Sequence, residues 1–264
     1  MKSILRKIYR GFLIFGFDVK VFLRAFSRKK KNWFYSDLQS LKQQRQDDRT
    51  FEWGPLYPIL TDKGDQGGIM NGHYFHQDLY VARMIHTANP NKHLDIGSRT
   101  DGFVAHVAAF IEIEIIDIRP IQSKVKNISF RQADLMDLPS DLINYCDSIS
   151  SLHAIEHFGL GRYGDPIDYF GYLKAIRNIA KILKTNGSFY FSVPIGPQRI
   201  EFNAHRVFSL QYLMEILSED FFIQHFSLVD DKGDFFEDIE LNEKNMLSNF
   251  NCQYGCGIFI CRKK

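Results

Sequence analysis

No Cys-x-x-Cys pair occurs among the four cysteines, and no histidines stand at ligand spacing beside them. Cys252, Cys256 and Cys261 fall within ten residues of a segment that reads as strand, and Cys146 lies far upstream. The expectation is therefore reduced structural thiols in a cytoplasmic protein, with no metal. Long apolar runs are also lacking. The longest, Phe12–Phe17, is far short of the roughly 20 residues that a spanning helix needs, and no apolar core leads to a small-residue cleavage site. The loop Asp95–Phe103 is neither Gly-x-Gly-x-x-Gly nor a P-loop, which argues against NAD and ATP. An excess of charge of one sign is missing too, since the net charge is +2 over 264 residues.

That balance hides an uneven distribution. Residues 1–31 carry ten Lys/Arg against Asp18 alone, a local charge of +9, so the rest of the chain is at −7. A mildly acidic body is a poor match for a nucleic-acid backbone. Within the basic arm Ile4, Ile8, Phe12, Phe15, Val19, Phe22 and Phe26 recur at helical spacing, an amphipathic pattern. Two readings of the arm stand: it lies on an anionic inner-membrane surface, or it packs on protein with its charges solvated. Residues 32–71 read as linker or lid, polar at first, and 72–264 as the main domain. With 45% hydrophobic and 24% charged residues, the chain is expected to be globular, with one large domain and an appendage.

From about residue 76, helix-like and strand-like segments alternate, the pattern of an α/β fold. Helices are predicted at 78–87, at 102–110, and after Asp165 as N-cap with Pro166 in its first turn. The last of these has Ile167, Phe170, Leu173, Ile176, Ala180 and Leu183 as its buried stripe. Strands are predicted at 92–96, 112–117, 128–132 and 148–152, then at 188–193 following a stop at Gly187. Ser209 caps a last helix, and 221–229 and 257–261 close the chain as two antiparallel strands. The count is seven.

The residues at the strand ends resemble those of class I S-adenosylmethionine (SAM)-dependent methyltransferases, over about residues 72–262. His93-Leu94-Asp95-Ile96-Gly97 resembles that family's first motif, a strand running into a glycine turn. Asp117, at the end of the second strand, stands where the family's acid meets the ribose hydroxyls. Ala133-Asp134-Leu135, within Ala-Asp-Leu-Met-Asp-Leu-Pro, resembles the motif that binds the adenine amino group, and Leu183–Gly187 resembles the turn before the fifth strand. The resemblance implies a Rossmann-like, doubly wound, mostly parallel sheet of seven strands that binds SAM through Asp95, Gly97, Ser98, Arg99, Asp117, Ile118, Asp134 and Leu135. The runs His73–Asp78, Asp95–Phe103, Asp117–Pro120 and His153–Asp165 also look like a little-characterised methyltransferase-like family, a domain of unknown function. That family occurs in nematodes and in bacteria in surface-polysaccharide contexts.

One departure bears on function. Where the family alternates glycines, Arg99 and Asp101 follow Gly97, and glycine returns only at 102. Arg99 either reaches the cofactor carboxylate, turns away, or pairs with an acid and closes the site. Methyl transfer needs an aligned nucleophile and a base to take its proton. His157, His153 and Glu156, after the fourth strand, are the catalytic candidates, with a histidine packed beneath the following loop as the plainer reading. Tyr74, His76, His205 and Arg206 are candidates to face substrate. Glu156–Gly159 with Arg162-Tyr163 also resembles a segment of cyclopropane-fatty-acid synthases, whose matching glutamate helps hold bicarbonate, but the rest of the chain does not follow that subfamily. The expected activity is SAM-dependent O-methylation of a small or sugar-linked acceptor in surface polysaccharide synthesis. The alternative is a non-catalytic scaffold or regulatory module.

Overall fold

A computed structural model describes residue 9 and residues 32–60, 62–122 and 124–264. The expected arm helix falls outside the described residues, apart from Tyr9. Two units are distinguished, Met1–Ile69 and Met70–Lys264. In the first, helix α1 (Asn32–Arg45) is largely exposed, with Lys63 bonded to Asp37 at 2.6 Å and Trp53 beneath the cations of Lys42 and Arg45. No helix among the described residues is long and apolar enough to cross a membrane.

The second unit is built on a sheet whose strands are β1 (His93–Ile96), β2 (Ile113–Asp117), β3 (Ile128–Gln132), β4 (Cys146–Leu152), β5 (Leu183–Ile195), β8 (Phe221–Val229), β9 (Phe235–Phe236) and β10 (Gly255–Lys263). A separate hairpin is formed by β6 (Arg199–Glu201) and β7 (His205–Val207). The sheet order is β3-β2-β1-β4-β5-β10-β8-β9. The pairs among β1 to β5 are parallel, whereas β10 runs antiparallel to both β5 and β8. This is the expected doubly wound sheet, with the two-residue β9 as an eighth strand at its edge.

Alternation along the strands divides the core in two. Ile116, Phe189, Phe191 and Phe259 face helices α4 (Gly171–Ile182) and α5 (Leu210–Leu217). Ile113, Ile115, Tyr190 and Ile258 face α2 (His73–Ala88) and the segment formed by a π turn, Thr100–Val104, running into α3 (Ala105–Ala108). A sheet covered on both faces needs strands apolar on both sides, which β5 supplies over Phe189–Val193. The remaining helix, α6 (Glu243–Ser248), lies before β10.

Several predicted boundaries move: the helix expected at 78–87 spans His73–Ala88, the one expected at 102–110 is the π turn and α3, and two further shifts have local reasons. Asp165 does not cap a helix. Its carboxylate accepts from the Gly161 and Tyr163 amides within a loop, Ile167 and Phe170 are exposed, and α4 begins only at Gly171. That loop turns at Gly159, whose φ is +75° and whose α-carbon faces the Asp168 carbonyl so closely that a side chain would collide with it. Gly187 is not a helix stop either. The α4 carbonyls of Lys181 and Ile182 accept from Asn144 and Tyr145, which ends the helix at Ile182. Residues 184–187 then form an irregularity inside β5, between the Cys146–Leu183 and Ser148–Ser188 pairs.

Ser209 caps α5 as expected, accepting from the Tyr212 amide, while Leu210, Leu213 and Leu217 are buried beneath. Ser209→Ala is expected to lower unfolding stability by about 1 kcal/mol in urea titration. An unchanged midpoint would show that the cap contributes nothing.

Candidate functional site

The sheet changes winding direction between β1 and β4, and the crevice at such a point, beyond the carboxyl ends of the strands, is where ligands bind in open α/β sheets. A cleft opens there in two compartments. One is an apolar slot whose walls include Ile96, Gly97, Ile116, Ile118, Ala133 and Leu135, with the acids Asp117 and Asp134 beside them. The other is a wider, more open polar chamber that includes Tyr74, Arg99, Arg162, Tyr163, His205 and Tyr254. Gly97, Asp117, Arg119, His153, His157 and Tyr163 line both.

The loop that forms the slot is held from below. The Asp95 carboxylate is wholly buried and accepts from the Ser98 amide (3.0 Å), the Ser98 hydroxyl (2.6 Å) and the Ser150 hydroxyl (2.6 Å). Ser98 Oγ in turn accepts from the Leu152 amide at the end of β4. Asp95 therefore does not face the cleft as the sequence suggested, because three donors inside the protein hold its carboxylate. Ser98 is likewise buried, its hydroxyl spent on Asp95 and Leu152, although the residue borders the polar chamber. Gly97, at φ +65°, carries the chain over Ala154, whose Cβ would lie 3.2 Å from a side chain there.

Arg99 turns away from the slot. Its guanidinium makes two bonds to Asp101, at 3.1 and 2.9 Å, and lies over the Tyr74 ring at 4.8 Å. The later glycine, Gly102, serves the interior instead, since a side chain there would strike the buried Asp78 carboxylate. At the slot, Asp117 accepts from the Arg119 amide and from both arms of its guanidinium, at 2.8, 3.0 and 2.7 Å, and Arg119 stacks over Tyr163 at 4.2 Å. Asp134 accepts from the Met136 amide at 2.8 Å. Ile118 and Leu135 lie on the slot wall.

After β4 the chain turns through His153, at φ +50°, into a short helical turn, Ile155–His157. Glu156 is buried and bonds His153 Nδ1 at 2.8 Å, with His157 Nε2 3.8 Å from the same oxygen. Burial opposes the His153 imidazolium, but the Cys256 sulfur and the Glu156 carboxylate beside it hold its pKa well above the usual histidine value. Burial likewise opposes the charge on Glu156, and the two imidazoles keep its pKa low. His157 differs. Its Nδ1 lies 2.6 Å from the Ala204 carbonyl, which assigns the proton to Nδ1 and leaves Nε2 as an acceptor, and burial lowers its pKa although Glu156 pulls the other way.

The substrate candidates separate. Tyr74 and His205 line the polar chamber, and His205 packs against Tyr254. His76 does not line it; its ring stacks on Phe235. Arg206 is buried and donates to the carbonyls of Phe158 (2.6 Å) and Tyr169 (3.1 Å), so it braces the glycine loop instead of meeting a ligand. Sequence reasoning did not name Arg119, Tyr254 or Cys256 as site residues, and it placed His73, Arg162 and Tyr163 only within motifs. Arg119 too lies within such a motif, whereas Tyr254, just before β10, and Cys256, on it, carry no local signal.

Burial raises the Asp95 pKa to about 6, against the serine hydrogen bonds that favour the charged form. Unfolding returns it to about 4. The buried proton therefore contributes stability below about pH 4, and that contribution is lost as pH rises through about 6. In Asp95→Asn the linkage is gone, so relative to wild type the variant should gain on the order of 2 kcal/mol between about pH 4 and 7. Parallel urea-stability curves for the two proteins would exclude this linkage.

No curated protein matches the chain in sequence. Among solved structures, it resembles the 1,6-didemethyltoxoflavin N1-methyltransferase of Burkholderia thailandensis, solved with 1,6-didemethyltoxoflavin and S-adenosylhomocysteine bound. The TM-score is 0.51 at 15% identity, over 71% of this chain and 78% of that one. It also resembles the [4+2]-cyclase SpnF, with a TM-score of 0.51 at 16% identity over 74% and 88% of the two chains. At these identities the likeness establishes the fold, that of class I methyltransferases. The profile of one family matches residues 104–259, more than half of the sequence, and the chain belongs to that family, described as Caenorhabditis protein of unknown function, DUF268.

Proposed function

We propose that the chain is a SAM-dependent methyltransferase that methylates a hydroxyl held in the polar chamber. The observation that carries this reading is the shape of the cleft: an apolar slot bordered by two carboxylates meets, at Gly97, a polar chamber reached by a neutral histidine. The slot fits the cofactor's adenosyl part. Ile118 and Leu135 offer flat apolar contact, Asp134 accepts from the adenine amino group, and Asp117 accepts from the ribose hydroxyls once Arg119 moves aside. SAM, when bound, supplies an electrophilic methyl group. The chain's own task is to hold the acceptor and take its proton, and His157 Nε2 is the base for it because the Ala204 carbonyl fixes the other nitrogen as donor.

The chamber's tyrosines and arginines suit a polyhydroxylated acceptor, and the resemblance to proteins from surface-polysaccharide contexts supports a sugar-linked one. The basic, phenylalanine-rich arm at 1–31 suits work beside an anionic inner-membrane surface, where lipid-linked sugars reside. Deletion of residues 1–31 should abolish co-sedimentation with anionic liposomes, and an intact chain that never sediments would end that part of the reading.

S-adenosylhomocysteine titrated into the full chain by calorimetry tests the core of the reading. Asp117→Ala should weaken binding by about tenfold or more, the cost of losing hydrogen bonds to a charged acceptor. Arg119→Ala should tighten it about two- to fivefold by freeing that acceptor from a half-exposed ion pair. Absence of heat and of any thermal shift at millimolar ligand would leave the non-catalytic module standing in its place.

A further inference from the structure

Beside the cleft, three residues from separate elements converge: His73 from the start of α2, His153 from the turn after β4, and Cys256 from β10. One ligand atom from each lies within 4.8 Å of the other two. Glu156 fixes the ring of His153 through Nδ1, and the other nitrogen, Nε2, is buried with no hydrogen-bond partner among the described residues. His73 stacks parallel to His153 at 5.2 Å and is backed by Tyr254 at 5.4 Å. An unpartnered imidazole nitrogen nine-tenths buried is costly unless something completes it.

We propose that His73, His153 and Cys256 hold one zinc ion. Two imidazoles and a thiolate suit a borderline-soft cation and not calcium or magnesium, which take oxygen ligands. Bond lengths of zinc sites set ligand separations near about 3.3–3.6 Å, so a closure of about 1 Å brings the three atoms into place. Glu156 is the positioning residue. It accepts the Nδ1 proton of His153 and presents Nε2 to the metal, the carboxylate–histidine arrangement that orients zinc ligands. Three protein ligands leave a fourth position for water or a substrate oxygen. His153 is the ligand that lines the cleft, so that position belongs to the chamber's edge.

Cobalt(II) serves as the spectroscopic probe. The full chain, stripped with a chelator, should bind about one equivalent, as a single three-ligand site requires, and develop a sulfur-to-cobalt charge-transfer band that zinc then abolishes. Cys256→Ser should lose the band. Glu156→Gln should keep it while affinity falls about 10- to 100-fold. Cys252→Ser, whose thiol burial pushes up to about 11, should bind as wild type does. Far-ultraviolet circular dichroism matching that of wild type establishes that each variant is folded. His73→Gln, on the exposed side of the cluster, supplies a second loss of affinity should Cys256→Ser unfold. Wild-type protein without the band at saturating cobalt, or a band that survives in folded Cys256→Ser, overturns the proposal. The measurement uses neither SAM nor an acceptor, so its failure leaves the methyltransferase reading untouched, and the converse holds.

Discussion

The cleft depends on one buried carboxylate. Asp95 is removed from water, an unfavourable place for a charge, and three donors from two segments converge on it. Two of these come from Ser98, so the turn that shapes the slot cannot open without uncovering the acid. The third comes from Ser150 on β4, so the same acid ties the loop to the strand that delivers His153. Ser98 closes the circuit by accepting from Leu152. The slot loop and the candidate base are thereby set on one rigid support, as the proposed methyl transfer would require, since its main demand is alignment.

The same constraint accounts for the composition of β4. A central parallel strand is usually a run of branched aliphatics, yet Ser148, Ser150 and Ser151 are all buried here. Each has a partner across the β1 seam. Ser148 and Ser150 meet the two ring nitrogens of His93, and Ser151 donates to the Ile96 carbonyl. Such a seam exchanges apolar burial for fixed register and direction, and those are what the adjoining cleft uses.

The strand pattern was plain in the sequence because it is a local property. The expectations for β3 and β8 agree with the structure residue for residue, since each is an alternating or apolar run between clear breaks. The start of α4 was misplaced because Asp165 and Pro166 are legitimate helix-opening residues. Only the glycine loop, folding back on itself, shows that Asp165 serves amides at 161 and 163. The motifs lie around the candidate cleft but said nothing of side-chain direction. Asp95 and Arg206 sit where the fold places functional residues, and both turn inward. His73, Tyr254 and Cys256, separated by about 180 residues, become neighbours only when β10 is inserted beside β5. No spacing rule foresees that.

Two arginines then set the character of the site, and they act oppositely although each pairs with an acid two residues away. Arg99 with Asp101 is an exposed pair lying over Tyr74, and by engaging each other these side chains leave the slot clear. Arg119 with Asp117 instead occupies the very carboxylate that a ribose would use. Its guanidinium is half exposed although the Asp117 side chain is largely buried, so on the proposed reading ribose hydroxyls and the adjoining apolar contact would have to replace this pair. On the proposed reading Arg119 would be displaced, and the stacked Tyr163 ring, which borders both compartments, would give the freed cation a place to stay. A positive charge retained at the junction of slot and chamber would favour an acceptor carrying a negative group, such as the phosphate of a lipid-linked sugar.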